Sequence, residues 1–214
     1  MKETITVHKA LSELKTLAAR IDKEMKIEFF RLNKHSNAKI GGIPVAEYMK
    51  DIADSFKSVR TLMNRRDAIK QAVTRSNAIT TVNIGGKEYT VAEAIDMKSN
   101  GIPAQQKLLE RIERQYREVT YQAEQRNGDD LDRRADEYVK ALYENADMKN
   151  MSDEIKKVRE TFVESQTFDI LDPIGGTKVM KEMKDYIDSF MTEVDSALSV
   201  SNALTTVEVE YETL

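Results

Sequence analysis

The sequence predicts a mostly helical α+β protein in which long antiparallel helices form a bundle and a small antiparallel sheet caps one end. Three observations predict this class. Long stretches with helical apolar periodicity have few breakers between them, since the 214 residues include only 8 glycines and 3 prolines. Paired glycines mark short hairpins. The tripeptide Ser-Asn-Ala begins at Ser36, Ser76 and Ser201, each time where a helical pattern meets a β-type segment.

Two copies of the tripeptide belong to a longer internal repeat. Residues 76–82 and 201–207 share the pattern Ser-Asn-Ala-(Ile/Leu)-Thr-Thr-Val. The copy at Ser36 and the copy at Ser76 are both followed by paired glycines and then by Val-Ala-Glu. The repeated unit is therefore helix, short strand or hairpin, helix, and we predict that such units build the sheet. Ser and Asn suit helix ends and Thr and Val suit strands, so architecture explains the motif, with a ligand-contacting role as the alternative.

The first half of the chain contains the clearest β signals. Alternating apolar residues between Lys26 and Asn33 favour a strand that pairs with residues 38–40, although a continued helix is the alternative. The paired glycines at 85–86 supply the positive φ angles of a two-residue turn. The elements predicted here are a strand at Lys2–Thr6, a helix from Val7 to Met25, a helix from Val45 to Asn77, a hairpin of residues 79–84 and 87–90, and a short helix from Val91 to Lys98 that ends at Asn100-Gly101.

The second half is predicted to be helical until its last ten residues. Its elements are helices from Pro103 to Arg126, from Asp129 to Leu142, from Ser152 towards Phe168 and from Thr177 to Val200, a flexible loop from Asn145 to Met151, and a terminal strand within Thr205–Glu212. One small sheet is expected to collect Lys2–Thr6, the central hairpin and Thr205–Glu212. We expect a single domain of residues 1–214, with a subdivision into 1–100 and 101–214 as the alternative.

Composition excludes several classes of function. With 33 Lys and Arg against 37 Asp and Glu, the net charge is −4 and does not favour non-specific nucleic-acid binding. The absence of cysteine excludes disulfides, thiol catalysis and thiolate metal sites. The two histidines, His8 and His35, lack partners at ligand spacing, and no glycine pattern fits a phosphate loop. No apolar run reaches the roughly 18 residues that a membrane span needs. We therefore expect a cytoplasmic protein without cofactor or metal.

One cationic feature is the candidate binding site. On a helical wheel the apolar arc of the second helix is centred on Tyr48, Val59 and Val73, and it contains Arg66 and Lys70. Buried cations must meet carboxylates, reach solvent or face an anionic ligand. Structural ion pairing and an anion pocket at this helix end are therefore both open. The neighbouring residues that could also bind a phosphate are Arg65, Arg75, Ser76, Asn77, Thr80 and Thr81.

Three segments resemble the septicolysin-like family of small helical proteins. They are Arg66-Asp67-Ala68-Ile69, residues 76–81, and residues 86–95 with the sequence Gly-Lys-Glu-Tyr-Thr-Val-Ala-Glu-Ala-Ile. The resemblance extends to about residue 110. It implies an N-terminal helix pair, an Arg-Asp pair, an Asn-containing helix end and a glycine hairpin that leads into a helix. The cysteine-free, helix-rich sequence also looks like proteins of phages that infect Gram-positive bacteria.

Three classes of function are compatible with these observations. We expect first a non-enzymatic interaction or structural protein, such as a phage virion or assembly component, which forms a homo-oligomer or binds another protein. Edge strands such as Thr205–Glu212 would offer pairing surfaces for a second subunit. The alternative is a binding protein that holds a nucleotide or another phosphorylated molecule and acts as a phage decoy for an immune signal. An enzyme is the third class, because no spacing of residues defines an active site.

Overall fold

The computed structural model of the chain describes residues 1–144 and 150–214. It is mostly helical, with small antiparallel sheets, as the sequence predicts. Residues 145–149 of the predicted loop lie outside the described part of the chain. The helices are α1 (Val7–Glu24), α2 (Val45–Ile79), α3 (Val91–Asp96), α4 (Ile102–Asn127), α5 (Asp129–Leu142), α6 (Asp153–Gln166) and α7 (Gly176–Leu204). The strands are β1 (Lys2–Thr6), β2 (Lys39–Ile40), β3 (Ile43–Pro44), β4 (Thr81–Ile84), β5 (Lys87–Thr90) and β6 (Thr206–Glu210).

The described residues form two compact units. The first unit contains Met1–Gly101 together with Ser189–Leu214, and the second contains Ile102–Asp188. Helix α7 begins in the second unit and ends in the first. A single domain of residues 1–214 stays a prediction.

The strands pair in three separate two-stranded sheets, β1 with β6, β2 with β3, and β4 with β5. The predicted pairing of the first and last strands is confirmed, and Ile5 lies opposite Val207. The prediction that the central hairpin joins the same sheet is wrong. We call each pair of strands a ribbon. The β2–β3 and β4–β5 ribbons each lead into the start of the next helix, whereas the β1–β6 ribbon brings together the start of α1 and the end of α7.

The backbone closes in the same way at each ribbon. The amide of Val91, the first residue of α3, donates to the carbonyl of Thr80 at 2.8 Å. The amide of Val7, the first residue of α1, donates to Thr205 at 2.9 Å, and that of Val45 donates to Ala38 at 3.2 Å. The start of one helix is thus hydrogen-bonded to the residue that leads into the ribbon. Thr and Val, which suit strands, follow the Ser-Asn-Ala-(Ile/Leu) segments at the ends of α2 and α7.

The paired glycines form the turns of the two continuous hairpins. Gly85 and Gly86 have φ angles of 59° and 75°, and Gly41 and Gly42 have 59° and 86°. Two consecutive positive φ angles are the geometry of a type I′ turn, which other residues adopt with strain. The predicted turn at Gly85-Gly86 is therefore confirmed. Its Gly85 amide also donates to the carboxylate of Glu193 in α7 at 2.8 Å.

Two sequence predictions between the helices are wrong. Residues 26–38 contain no strand, because Ile40 pairs with the nearby Ile43 across the glycine turn, and Phe29 packs edge-to-face on Phe56 of α2. The predicted break at Gly101 is also absent, since a π-helical turn, Met97–Gly101, leads directly into α4. A π turn spaces its hydrogen bonds more widely and so accommodates Pro103, which has no amide hydrogen to donate.

The core of the first unit lies between α1, α2 and the β1–β6 ribbon. Glu13 of α1 contacts Arg65 of α2, while Phe29, after α1, contacts Phe56 nearer the start of α2, so the two helices run antiparallel. The ribbon packs one face onto this pair. The buried residues of this cluster are Ile5, Val7, Ala10, Leu17, Ile21, Leu62, Ile69, Val73, Val207 and Val209.

In the second unit, an ionic and aromatic seam joins α5 to α6. Arg159 pairs with Asp132 at 2.7 Å and with Asp136 at 2.8 Å, and Tyr138 stacks on Phe162 with ring centroids 4.5 Å apart. The two carboxylates accept hydrogen bonds from the guanidinium and raise the pKa of Arg159.

The amide of Asn127 holds the chain segment after α6. It donates to the carbonyl of Phe168 at 2.8 Å and accepts from the amide of the same residue at 2.8 Å. One side chain thus satisfies both backbone groups of Phe168, as a neighbouring strand would.

The capping box of α3 makes stability depend on pH. The Glu93 carboxylate accepts from the Thr90 amide at 2.7 Å and the Thr90 hydroxyl at 2.9 Å, and these bonds hold the pKa of Glu93 below its usual value of about 4.3. A lowered folded-state pKa stabilises the fold at pH values above the unfolded-state pKa, and this stabilisation is lost as the pH falls through the folded-state pKa.

We expect Glu93→Ala to lower the melting temperature at pH 7 and much less at pH 3. The exposed Glu88→Ala serves as control, and an equal loss at both pH values for Glu93→Ala would contradict this account.

Candidate functional site

The two cations predicted to lie on the buried face of α2 are exposed. The Arg66 side chain retains 44% of its accessible surface and lies 3.5 Å from its neighbour Asp67, while Lys70 is exposed. The premise that these residues lie on the apolar face is therefore wrong. Neither requires burial against an anion or a carboxylate.

The error has a geometric cause. The first turns of α2 pack against residues 29–40 through Tyr48 and Ile52, whereas its later turns pack against α1 and β6 through Leu62, Ile69 and Val73. At about 100° per residue, the mean direction of these packed residues turns by roughly 60° between the two parts. A single wheel over the whole helix averages the two directions, so its apolar arc also takes in Arg66 and Lys70.

Arg65 is the cation that the first unit partly buries. It pairs with Glu13, lies 2.6 Å from a Glu3 carboxylate oxygen, and donates to the hydroxyl of Tyr211 at 2.6 Å. Its side chain is 20% exposed, and its guanidinium lies 5.0 Å from the centre of the Tyr211 ring. The hydrogen bond to Glu13 raises the pKa of Arg65 further above its usual range, so it stays charged. These contacts join β1, α1, α2 and the residue after β6, and they leave this cation in a structural role.

The other predicted donors do not form one site with Arg66. Ser76 and Thr80 share a hydroxyl contact at 3.3 Å, and Asn77 is half-buried. Thr81 is exposed in β4. Lys70 and Arg75 do line a shallow groove of about 410 Å³ on α2, together with Asp67, Gln71 and Thr74. An anion site at this end of α2 stays a prediction, and Lys70 and Arg75 are the residues nearest to forming it.

A second groove in the first unit is apolar. It has a volume of about 560 Å³ and lies where residues 29–40 cross the first turns of α2. Its apolar lining includes Phe29, Phe30 and Ile40 on one side and Tyr48, Met49, Ile52, Ala53 and Phe56 on the other, with Arg31 and Asn33 as its polar residues. We call it the apolar groove.

Large apolar side chains remain exposed around the apolar groove. Phe30 is 91% exposed, Met49 65% and Phe56 50%, and Leu32, between the lining residues Arg31 and Asn33, is fully exposed. This surface was not predicted, because the alternation of residues 27–33 favours a strand. The missed signal is the pair Phe30 and Leu32, which continues no helical stripe and belongs to no β ribbon.

Within residues 1–144 and 150–214, no group of three or more His, Asp or Glu side chains is arranged to hold a metal ion. In the same part of the chain, no helix combines the length and the apolar character needed to cross a membrane.

Comparison of the sequence with family models and curated proteins, and of the fold with solved structures, found no match. The apolar groove and the exposed cations are therefore the candidate functional surfaces of the described residues.

Arg65 and Arg66 provide a matched test of the cation assignment. We expect Arg65→Leu to lower the free energy of unfolding by about 2–3 kcal/mol, because Glu3 and Glu13 would lose their cation in a partly buried place. The adjacent Arg66→Leu should change it by no more than about 0.5 kcal/mol. Urea unfolding measures both.

Adding Glu13→Gln to Arg65→Leu should recover part of the loss, since it removes one of the unpaired charges. Equal effects of the two arginine substitutions would show that the cluster does not stabilise the fold.

Proposed function

We propose that the chain is a non-enzymatic interaction protein that self-associates through the apolar groove and serves as a structural or assembly component. The observation that carries this proposal is the contiguous exposure of Phe30, Leu32, Met49 and Phe56 beside the groove. Monomers rarely expose contiguous apolar patches larger than a few hundred Å², and the largest patch on a protein often marks an interaction surface. A partner that covers this patch would remove it from water.

Sequence resemblance alone supports the finer parts of the proposal. They are a phage origin, a likeness to the septicolysin-like family, and a place in the host cytoplasm or the virion. Packing of the antiparallel pair α1 and α2 with further helices into one bundle, capped by the repeated ribbons, belongs to the same proposal. The closing bonds at Val7, Val45 and Val91 support a common origin for those ribbons.

The apolar groove is a better candidate for self-association than the edge of β6. One edge of β6 pairs with β1. The residues after β6 are hydrogen-bonded to α2. Asn64 donates to the carbonyl of Glu212 at 3.4 Å, and the Leu214 amide donates to the hydroxyl of Thr61 at 3.2 Å. A second subunit that extended its pairing past Glu210 would have to displace these contacts, whereas the groove needs no rearrangement.

Sedimentation at micromolar concentration tests the proposal. We expect the chain to sediment above its monomer mass of 24.4 kDa. Met49→Lys should weaken self-association at least tenfold, or by about 1.4 kcal/mol, because it places a charge in an apolar contact. Met191→Lys, at an exposed methionine of α7 away from the groove, is the matched control. A monomer for the unchanged chain, or equal behaviour of the two variants, would contradict the proposal.

Anion binding is the second candidate function, which the shared groove of Lys70 and Arg75 favours. A nucleotide present at 100 times its Kd would add about 2.7 kcal/mol of stability and raise the melting temperature. We expect the joint change of Lys70→Ala and Arg75→Ala to abolish such a shift, while Arg66→Leu keeps it because Arg66 does not line the groove. A thermal-shift screen with ATP and cyclic nucleotides decides this, and no shift with any of them removes the candidate.

A further inference from the structure

From the composition of the exposed patch we infer that the occupant of the apolar groove is a second copy of this chain, whose Phe30 and Leu32 insert into it. This inference rests on the proposed function and specifies how the two copies contact each other. They form a closed dimer in which Phe30 and Leu32 of each copy insert into the groove of the other.

The first support is that one surface carries both halves of the contact. Phe30 lines the groove, and Leu32 follows it two residues later. Phe29, which precedes Phe30 in the sequence, is half-buried against Phe56. The chain therefore holds Phe29 against α2 and leaves Phe30 and Leu32 uncovered beside an open groove. A surface with a projection next to a matching depression is self-complementary, and two-fold contacts join such surfaces.

The second support is area. A whole aromatic side chain presents about 150–250 Å². At the exposures of Phe30, Leu32, Met49 and Phe56, the patch offers on the order of 600 Å² of apolar side-chain surface per copy. A standard stable interface buries about 800 Å² per partner, of which somewhat more than half is apolar. One two-fold contact centred on this patch therefore has the area that a stable dimer needs.

A small apolar molecule would not cover the same surface. The groove volume of about 560 Å³ lies in the range of small-ligand sites, about 300–1,000 Å³. A molecule inside the groove would still leave Leu32, which does not line it, in water. A second copy covers the groove and the projecting residues at once.

Complementary charge variants test the reciprocal contact. Leu32→Glu alone and Met49→Lys alone each place two uncompensated charges in a two-fold dimer, and we expect each to sediment as monomer where the unchanged chain is dimeric. An equimolar mixture should recover a dimer. One of its two contacts is then unchanged, and the other pairs the introduced acid with the introduced amine.

Cysteine cross-linking gives an independent readout, since the chain contains no cysteine. A tagged Leu32→Cys copy mixed with an untagged Ala53→Cys copy should form a mixed disulfide dimer under mild oxidation. Leu32→Cys mixed with Ser12→Cys, an exposed position on α1, should not.

Three outcomes would overturn the inference. A dimer that Met49→Lys dissociates but Leu32→Glu leaves intact would show self-association through the groove without this insertion, and the proposed function would survive. A mixture that stays monomeric would exclude the reciprocal contact. A monomeric chain that binds a hydrophobic dye equally with or without Leu32→Glu would indicate a small apolar occupant, and it would contradict the proposed function as well.

Discussion

The architecture depends on one backbone hydrogen bond that recurs at the junctions between helices. In each ribbon, the carbonyl oxygen of the residue before one strand accepts from the first amide of the helix that follows the other strand, as Thr80 does from Val91 and Thr205 from Val7. The first amides of a helix have no partner within it, so this bond satisfies one of them and fixes where the helix starts. Threonine as the residue before α1 and α3 satisfies another, through its side-chain oxygen. Each ribbon therefore sets the position of a helix.

Local signals predicted much of this architecture because their physical causes are local. The turn at Gly85-Gly86 requires positive φ angles, and the breaks around Gly128 and before Gly176 follow from residues that favour helix ends. Helix α2 begins at the predicted Val45 and ends two residues beyond the predicted Asn77. The pairing of β1 with β6 could also be proposed, because both segments show the period of two that a half-buried strand requires.

The failures concern what a segment packs against, which its own residues do not specify. Residues 26–33 have the alternation of a strand and were expected to pair with residues 38–40. They form no strand, because Ile40 pairs with the nearer Ile43. Arg65 and Arg66 are neighbours, and only the change of packing partner along α2 decides which of them meets Glu3 and Glu13. Of the eight predicted donors, the structure uses Arg65 to join four segments. The apolar groove was not predicted, since it depends on how residues 29–40 cross α2.

The pairing of β1 with β6 also has a consequence for synthesis on the ribosome. The core of the first unit includes Ile5 and Val7 together with Val207 and Val209, which are translated much later. That core cannot be completed until residue 210 has left the exit tunnel. The second unit, residues 102–188, is continuous in sequence and is available much earlier. Contacts between such distant residues also slow folding. The nascent first unit therefore exposes the apolar side of α1 and α2 until those residues emerge, which makes it a part of the chain that chaperones would have to protect.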